Sequence, residues 1–342
     1  MLIMREISMN DAQVEWDNYL IRFSDYNILQ CYSFGEYYKN KSISTELKRY
    51  ILFDGNKPVI MGQAKIKEIK TISAVFIYMK GGPLYNLSDS EKKNVKYLKK
   101  YLNEFVNLIK NKYKLYYLNF QLTSESGVAE ELVLRECGWS KPIIERSLFL
   151  TYRVQIYKDI NDNFKSFDPK WRNQLRRAEK VNHYFEWGNS DTYIKRYIRM
   201  HNTMFKMKKM KKFMLKDVDL CELKQNMKDH MQVLIVSVNN KDVSGCVILL
   251  FEKKAYYVYA ASNELGRSYY SSNVMIWNLI KRLHDIGVNE LDLLGVDPHK
   301  NWGGYHFKKG IGGQLVKFVG EWEHSSTNFI KVLMNTLFFL RK

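Results

Sequence analysis

The feature of this sequence that most restricts its fold is an order of strand and helix patterns that occurs twice, about 180 residues apart. Each copy has three apolar runs of strand length, then a helical repeat of apolar residues, then one more apolar run. The two copies are the runs 50–53, 59–66, 74–78 and 115–120 around helical residues 95–109, and the runs 233–238, 247–251, 256–260 and 291–294 around helical residues 273–283. Each copy therefore predicts an antiparallel meander, a crossover helix and a parallel strand, in a chain of the α/β (α+β) class.

The repeat also predicts where the domains divide. We expect a first domain over 1–147, a second over 148–320, and a C-terminal helical segment over 321–342 that packs back on the first domain. The segment 88–91 fits a capping box that begins the first crossover helix. Apolar residues at helical spacing fill the C-terminal segment, with three basic residues, Lys331, Arg341 and Lys342. Its alternative interpretation is an amphipathic helix that rests on an anionic membrane.

The composition describes a folded, strongly basic protein. Hydrophobic residues make up 46% of the 342 residues, which argues against disorder, and the net charge is +18. Such a charge favours polyanionic partners such as tRNA or a lipid-linked pyrophosphate, although solvated surface lysines give the same total. The start of the chain lacks the apolar core of a signal peptide, and four dispersed cysteines show no metal-ligand spacing. We expect a cytoplasmic protein, either free or peripheral at the inner face of the membrane, without a metal.

One segment predicts a site at the end of a strand. The last apolar run of the second copy ends at Asp292–Gly295, and after a polar loop the chain continues with Phe307, Lys308 and a Gly-rich turn over 310–313. Because glycine tolerates positive φ and close approach of a ligand, Gly295 is a candidate substrate-binding residue. The arrangement predicts that Lys308 points into a site at the carboxyl end of this strand.

Three further segments occur in a recognisable order with it. They are 29–34, with Gln30 before an aromatic residue, 79–84, with a Gly-Gly-Pro turn, and the basic helical segment 171–180. Together the four segments resemble the Fem-type (FemABX) aminoacyl transferases of the GNAT superfamily, in their compact form without a coiled-coil arm. The resemblance implies two tandem GNAT-like domains. It also implies transfer of an amino acid from aminoacyl-tRNA to an amine, usually on a peptidoglycan precursor, without a further cofactor.

Three residues are candidates for catalysis. Because the donor ester is already activated, the enzyme must align a neutral amine and stabilise an oxyanion. We assign the second task to Lys308, with Phe307 shaping the pocket beside the tRNA end; the alternative is a surface lysine. Asp292 is placed to orient the substrate amine or accept its proton, or else stabilises a turn. His306 is a secondary candidate for a general base, or a structural histidine.

Further residues are candidates for substrate binding. Arg172 and Arg176 lie at helical spacing and can face one phosphate group of the tRNA or the acceptor. Lys80 is expected to line the acceptor groove, and Tyr257 either lines the acyl pocket or packs in the core. Lys39 is the nearest candidate for the family's phosphate-binding lysine but is out of register. The acceptor is therefore either a muramyl peptide or another amine-bearing surface-glycan precursor, lipid-linked or nucleotide-linked.

Two other functions remain open. An acyl-CoA-dependent N-acyltransferase of the GNAT superfamily, acting on an amino sugar in polysaccharide biosynthesis, has the same predicted fold. Coenzyme A binding in that superfamily uses a Gly-rich loop before the crossover helix. The segment 263–273 has one glycine and two tyrosines, which disfavours coenzyme A, although Arg267 and Ser271 are able to meet a phosphate. A non-catalytic tRNA- or glycan-binding relative is the third interpretation; the presence of Lys308 and Asp292 argues against it.

Overall fold

A computed structural model describes residues 1–40, 45–87, 90–145 and 149–340. The chain forms two compact units, Met1–Phe149 with Lys317–Lys342, and Leu150–Val316. The sequence places the divisions slightly differently, after residues 147 and 320. The predicted capping box at 88–91 lies partly outside the described residues.

The secondary structure alternates between strands and helices along both units. The strands are β1 (Leu2–Ile7), β2 (Glu46–Asp54), β3 (Lys57–Ile69), β4 (Ala74–Lys80), β5 (Leu115–Glu125), β6 (Leu150–Gln155), β7 (Tyr184–Gly188), β8 (Met231–Val238), β9 (Lys241–Phe251), β10 (Lys254–Ser262), β11 (Glu290–Asp292) and β12 (Gln314–Ser325). The helices are α1 (Met9–Leu20), α2 (Tyr32–Asn40), α3 (Glu91–Lys112), α4 (Val128–Glu136), α5 (Ile160–Ser166), α6 (Pro169–Ala178), α7 (Asp191–Met207), α8 (Asp217–Met227), α9 (Glu264–Ser268), α10 (Ser271–Asp285), α11 (Trp302–Lys309) and α12 (Asn328–Leu340).

The first unit contains the first predicted repeat. Its strands lie in the order β1-β2-β3-β4-β5-β12, and every neighbouring pair is antiparallel except β4 and β5. The parallel pair runs from Ala74 beside Leu115 to Lys80 beside Gln121. The crossover helix α3 covers the sheet with buried residues spaced three and four apart, namely Leu98, Leu102, Phe105 and Ile109. The structure therefore confirms the predicted meander, crossover helix and parallel strand in this unit.

The second unit repeats the same plan. Its strands lie in the order β6-β11-β10-β9-β8-β7, and the parallel pair is β10 with β11. The crossover helix α10 buries Ile276, Leu279, Ile280 and Leu283 against this sheet. Each unit is thus a mixed, mainly antiparallel sheet flanked by helices, which confirms the predicted fold class.

The two parallel strands differ greatly in length, and this difference positions the candidate site. β5 has 11 residues, whereas β11 has three and ends at Asp292. Directly after β11 the backbone turns, because Leu294 has φ +54°, a conformation that side chains with a Cβ rarely adopt. The carbonyl groups that follow β11 therefore leave the sheet and become available to other partners.

The C-terminal helix α12 packs on the first unit. The ring of Phe338 lies 6.0 Å from the ring of Phe76 and 6.1 Å from that of Tyr117. The amide of Asn335 donates to the buried carboxylate of Glu323 at 2.9 Å. Across the described ranges, we find no helix with the length and apolar character needed to cross a bilayer.

Candidate active site

The position of Lys308 follows from the two ends of α11. The side chain of Asn301 accepts the backbone N–H of Gly304 and so caps the start of the helix. After the helix, Gly312 has φ +79°, and a Cβ there would lie 2.0 Å from the carbonyl oxygen of Ser166. Only glycine fits this position, so the chain turns sharply against α5 and holds α11 beside the end of β11.

Lys308 is bound by the carbonyl groups that follow β11. Its Nζ donates to the carbonyl oxygens of Leu293, Leu294 and Gly295 at 2.6, 3.1 and 3.0 Å. An ammonium group has three protons, so these three acceptors can use all of them. Burial lowers the pKa of Lys308 to about 8, although the charge of Asp292 acts in the opposite direction. The side chain is thus a largely desolvated cation at the end of a strand, as the sequence predicted.

Asp292 orders the same turn from its inner side. The carboxylate is only 4% exposed. Its Oδ1 accepts the hydroxyl of Thr151 and, at 2.7 Å, the backbone N–H of Leu294, while its Oδ2 lies 3.8 Å from Nε of Arg153. These contacts match the turn-stabilising interpretation of Asp292. A direct role as the group that accepts the substrate's proton is not supported, because the carboxylate is buried and already engaged.

A cavity lies between α6 and α11, next to Lys308 in the chain. It has a volume of about 410 Å³ and is lined by Asp168, Lys170, Trp171, Gln174, Gly303, His306, Phe307, Lys309 and Gly310. The Phe307 ring lies 6.0 Å from the Trp171 ring. Trp171 is 3% exposed, and among the described residues its indole Nε1 has no hydrogen-bond acceptor. The cavity therefore combines aromatic walls and two lysines, a lining that suits a nucleotide or another anionic aromatic group.

His306 and Phe307 occupy different faces of α11. Phe307 packs partly into the core of the second unit, whereas His306 is exposed and its ring lies 4.1 Å from the ring of Trp302. Both residues line the cavity. The assignment of His306 as a general base remains a prediction.

The arginines of α6 are engaged within the second unit. Nη1 of Arg172 donates to the carbonyl oxygen of Lys165 at 2.8 Å. Nη1 of Arg176 donates to Asn173 at 3.3 Å, and its guanidinium lies 5.6 Å from the ring centre of Phe164. Neither lines the α6–α11 cavity, and their joint binding of a phosphate remains a prediction.

One predicted substrate contact requires correction, and for Gly295, which remains a predicted contact, the physical reason changes. Tyr257 is 6% exposed within the core of the second unit, and burial raises the pKa of its hydroxyl well above the ordinary value. It therefore packs in the core, because β10 is covered on the face that carries this residue. Positive φ is found at Leu294 and not at Gly295, whose contribution is the carbonyl oxygen that accepts from Lys308.

The first unit contains Lys80 and Lys39. Lys80 ends β4, and its Nζ lies 5.4 Å from the ring centre of Tyr38 in a shallow depression that also includes Gln63 and Lys65. Lys39 lies 3.8 Å from the carboxylate of Glu36. Both remain predicted substrate contacts.

Two of the sequence segments that carry the resemblance meet in this unit. Nε2 of Gln30 donates to the carbonyl oxygen of Lys80 at 2.8 Å, and its Oε1 accepts the N–H of Gln63 at 2.7 Å. The side chain of Gln30 is fully buried. Its evident role is therefore to hold the segment 79–84 in place.

No sequence pattern indicated a histidine–serine pair that the structure shows in the second unit. Nε2 of His183 lies 2.9 Å from Oγ of Ser271, and its Nδ1 lies 3.0 Å from the carbonyl oxygen of Val181. His183 also lines a second cavity, of about 470 Å³, beside α10. The two residues are 88 positions apart in the sequence, so local patterns could not connect them.

The loop before α10 is occupied by its own contacts. A Cβ on Gly266 would lie 2.1 Å from the carbonyl oxygen of Val243, so this glycine serves close packing. Nη1 of Arg267 donates to the carbonyl oxygen of Ser262 at 2.9 Å, and Ser271 is bound to His183. The groups considered for the pyrophosphate of coenzyme A therefore have partners within the protein.

Comparisons with known proteins agree with this fold. The model of the FemAB family matches residues 194–336. The chain is similar to a crystal structure of FemX, with 14% identity and a TM-score of 0.81 over 97% of this chain and 100% of that chain. A tandem GNAT protein from the clavulanic acid biosynthesis pathway, solved without AcCoA, has 8% identity and a TM-score of 0.56 over 96% and 99% of the two chains. No curated protein sequence matches the chain.

The chain shares its overall fold with these two solved structures, and part of it is similar to the FemAB family. The similarity of residues 194–336 to the FemAB family agrees with the resemblance inferred from the four sequence segments.

Proposed function

We propose that this protein transfers an aminoacyl group from aminoacyl-tRNA to an amine of a peptidoglycan or surface-glycan precursor. The observation that carries the proposal is the Lys308 ammonium, largely desolvated at the end of β11, on the same helix as residues that line a cavity with aromatic and basic walls. The match to the FemAB family supports aminoacyl-tRNA as the donor. The net charge of +18 favours a polyanionic donor and a phosphate-bearing acceptor.

The reaction requires no group beyond the two substrates. The neutral amine attacks the ester carbonyl, a C–N bond forms, and the carbonyl electron pair becomes an oxyanion. When this intermediate collapses, the ester C–O bond breaks, and the departing ribose oxygen takes up the proton that the amine loses. The transition state therefore needs positive charge near the carbonyl oxygen and little covalent participation by the protein.

Lys308 can supply that charge if one of its three hydrogen bonds is exchanged for a hydrogen bond to the substrate. Of its three acceptors, Gly295 is solvent-exposed, whereas Leu293 is buried. Replacing the Gly295 carbonyl by the substrate oxygen therefore costs least, since the freed carbonyl can bond to water. Asp292 fixes the turn through the N–H of Leu294, so the other two carbonyls keep the ammonium in place.

The α6–α11 cavity is the proposed place of the donor's terminal nucleotide. Its aromatic walls and its lysines fit a base and a phosphate. Phe307 lines this cavity and Lys308 follows it directly on the same helix. Binding of the donor here would bring its ester towards the ammonium.

An acyl-CoA-dependent N-acyltransferase acting on an amino sugar is the second candidate. Its support is the similarity to a tandem GNAT protein, which shows the shared fold. Against it stand the intramolecular contacts of Gly266, Arg267 and Ser271, which would have to break for a pyrophosphate to bind before α10.

A donor screen separates the two functions. Purified protein is incubated with a mixture of radiolabelled aminoacyl-tRNAs or with acetyl-CoA, together with extracted nucleotide-linked and lipid-linked precursors. We expect label to move from tRNA to a precursor amine, and ribonuclease treatment of the donor to abolish it. Turnover with acetyl-CoA alone would establish the second function instead.

A further inference from the structure

The helix α12 presents an apolar surface to solvent. Six of its 13 residues are large, apolar and exposed to solvent. Among them, the exposed fractions of Phe329, Val332 and Leu340 are 73%, 57% and 75%. The full set is Phe329, Val332, Leu333, Leu337, Phe339 and Leu340. A helix on the surface of a protein ordinarily turns charged residues outward, so this contiguous apolar face needs a partner.

The inner face of the same helix carries a polar cluster beside Phe338, and this cluster fixes the orientation of the outer face. Asn335 is 4% exposed and donates both to Glu323 and to the carbonyl oxygen of Lys331. Nζ of Lys331 contacts the hydroxyl of Ser140 and lies 3.8 Å from Glu323. Turning the helix to bury its apolar face would leave the Glu323 carboxylate without these partners, at a considerable cost.

The surroundings of α12 are positively charged. The helix has one charged residue, Lys331, whose ammonium is paired with Glu323, so the excess positive charge comes from its neighbours; the sequence continues with Arg341 and Lys342. Lys110 and Lys331 both act on the ring of His324, just before the helix, and together with burial they lower the pKa of His324 to about 4. The backbone N–H of Ser326 donates to Tyr116, which places the exposed Lys114 near the start of α12 as well.

The size of the apolar face argues against a second protein copy as the partner. A helix of 13 residues is about 20 Å long and about 10 Å wide, so its apolar face is a single narrow strip. A stable protein interface is a broad patch that buries about 800 Å² of accessible surface on each side. An apolar face of this size with basic neighbours suits shallow insertion between lipid headgroups, where the acyl chains receive the apolar residues and anionic lipids attract the lysines.

We propose that α12 is a docking surface by which this protein binds an anionic lipid bilayer, lying flat in the headgroup region. The helix is shorter than the roughly 30 Å hydrocarbon core, so it rests on the bilayer and does not cross it. The proposal does not depend on the transferase reaction, because the bilayer itself is the ligand.

The test measures binding of the full chain to vesicles that contain no precursor. The wild-type protein is sedimented with vesicles of phosphatidylglycerol and phosphatidylcholine, or of phosphatidylcholine alone. We expect binding to the anionic vesicles, at least tenfold weaker binding to the neutral ones, and a severalfold loss at high salt. The double variant Leu333→Gln/Leu337→Gln should bind anionic vesicles at least tenfold less tightly, since it removes two side chains from the inserted face.

The matched control is Val128→Gln/Leu132→Gln on α4. These side chains are also apolar, exposed and four residues apart in the same unit, at 78% and 55% exposure. The control should bind like the wild type. Thermal unfolding should be unchanged in both variants; if the α12 variant is destabilised, Phe329→Gln/Val332→Gln repeats the test on the same face.

Three results would overturn the proposal. The first is that the wild type does not bind anionic vesicles, and the second is that the α12 variants bind them as tightly as the wild type. The third is that the wild type sediments as a dimer without lipid, whereas the α12 variants sediment as monomers. The last would show that the face joins two copies of the chain.

Discussion

The two units share one topology but complete their parallel strand in different ways. In the first unit β5 runs for 11 residues, and β12 pairs with it from Phe318 to Ser325. In the second unit β11 ends after three residues, and the carbonyls of the next three accept from Lys308. A largely buried cation can therefore be held where a strand stops early. In a longer strand, the same carbonyl groups would already accept hydrogen bonds from the neighbouring strand.

The polar groups at the ends of these two parallel strands differ in the same sense. In the first unit, the amide of Asn27 donates to the carbonyl of Gly81 and to the hydroxyl of Thr123, at 2.8 and 2.9 Å, so the partners are neutral. In the second unit, the corresponding strand end carries an ammonium and the carboxylate of Asp292. Because hydrogen bonds to charged groups are stronger and their loss is costlier, we expect the second unit to respond more strongly to substitution.

The largest expected effect is on catalysis by Lys308→Ala. If the ammonium stabilises the oxyanion, its removal should lower kcat by about a hundredfold or more, as loss of one oxyanion donor does. Initial rates with aminoacyl-tRNA and the precursor measure this effect. The control is Lys300→Ala, a lysine with 79% of its side chain exposed in the loop before α11, which should leave kcat unchanged.

A structural role for Lys308 must be separated from a catalytic one. The substitution also removes three hydrogen bonds to the backbone, so thermal unfolding is followed in parallel. Lys308→Arg retains a cation and should recover part of kcat. Equal kcat in Lys308→Ala and the wild type would remove Lys308 from the reaction.

The next prediction compares the effect of a threonine-to-valine substitution on stability in each of the two units. Thr151→Val removes the hydroxyl that donates to the Asp292 carboxylate, with little change of shape, and should lower the free energy of unfolding by about 1.5–3 kcal/mol. Thr123→Val removes bonds to neutral partners only and should cost about 0.5–1.5 kcal/mol. Urea unfolding measures both. Equal losses would show that the charge at the end of β11 does not distinguish the units.

The sequence predicted the repeated order of strands and helices well, because the spacing of apolar residues that distinguishes a strand from a helix is a local pattern. Both meanders and both crossover helices follow from the spacing of apolar residues such as Leu98 and Leu279. The predicted strand 291–294 begins one residue too late and ends two residues too late. Its end depends on the bond from the N–H of Leu294 to Asp292 and on the carbonyls bound by Lys308, and these contacts arise only after folding.

The candidate site was predicted in part for the same reason. Phe307 lines the α6–α11 cavity, whereas the adjacent Lys308 is not among its lining residues, so the motif located this segment but not which of its side chains face the cavity. The role of Asp292 depends on Thr151, which is 141 residues away. Tyr257 was misassigned because alternation along a strand does not reveal whether a helix covers its face, and a buried core position and a pocket wall then look alike.

The pH dependence should differ between activity and stability. Burial lowers the pKa of Lys308 to about 8, so kcat should fall about tenfold for each pH unit above 8 as the ammonium is lost. The contribution of this group to the free energy of unfolding changes with pH in the opposite direction to kcat. Between pH 8 and the ordinary value of 10.5, the unfolded chain binds more protons at this lysine, so stability rises with pH.

The control for the pH profile is Lys308→Arg. A guanidinium stays protonated across this range, so the kcat of the variant should be independent of pH between 8 and 10. Rates are measured as initial rates, with spontaneous hydrolysis of the donor ester subtracted. A wild-type kcat that increases above pH 8 would indicate that the neutral amine of Lys308 acts as a base.

The smallest expected effect concerns two tryptophans, one in each unit. Trp171 and Trp139 are 3% and 2% exposed, and within the described residues neither indole Nε1 has a hydrogen-bond acceptor. Trp171 lines the α6–α11 cavity. If its N–H contacts the donor, Trp171→Phe should raise the KM for aminoacyl-tRNA severalfold with kcat unchanged, because the bond is equally present in the ground and transition states.

Trp139→Phe provides the matched comparison in the first unit. It removes an equally buried N–H, so any general effect of the substitution on packing should be similar, and its KM for the donor should not change. The free energy of unfolding of both variants should lie within about 1 kcal/mol of the wild-type value. The indole N–H has no acceptor in either case, so replacing it by phenylalanine removes no hydrogen bond within the protein. A KM change of the same size in both variants would mean that the indole N–H of Trp171 does not report on donor binding. The second unit would then keep its buried cation but lose its proposed donor cavity.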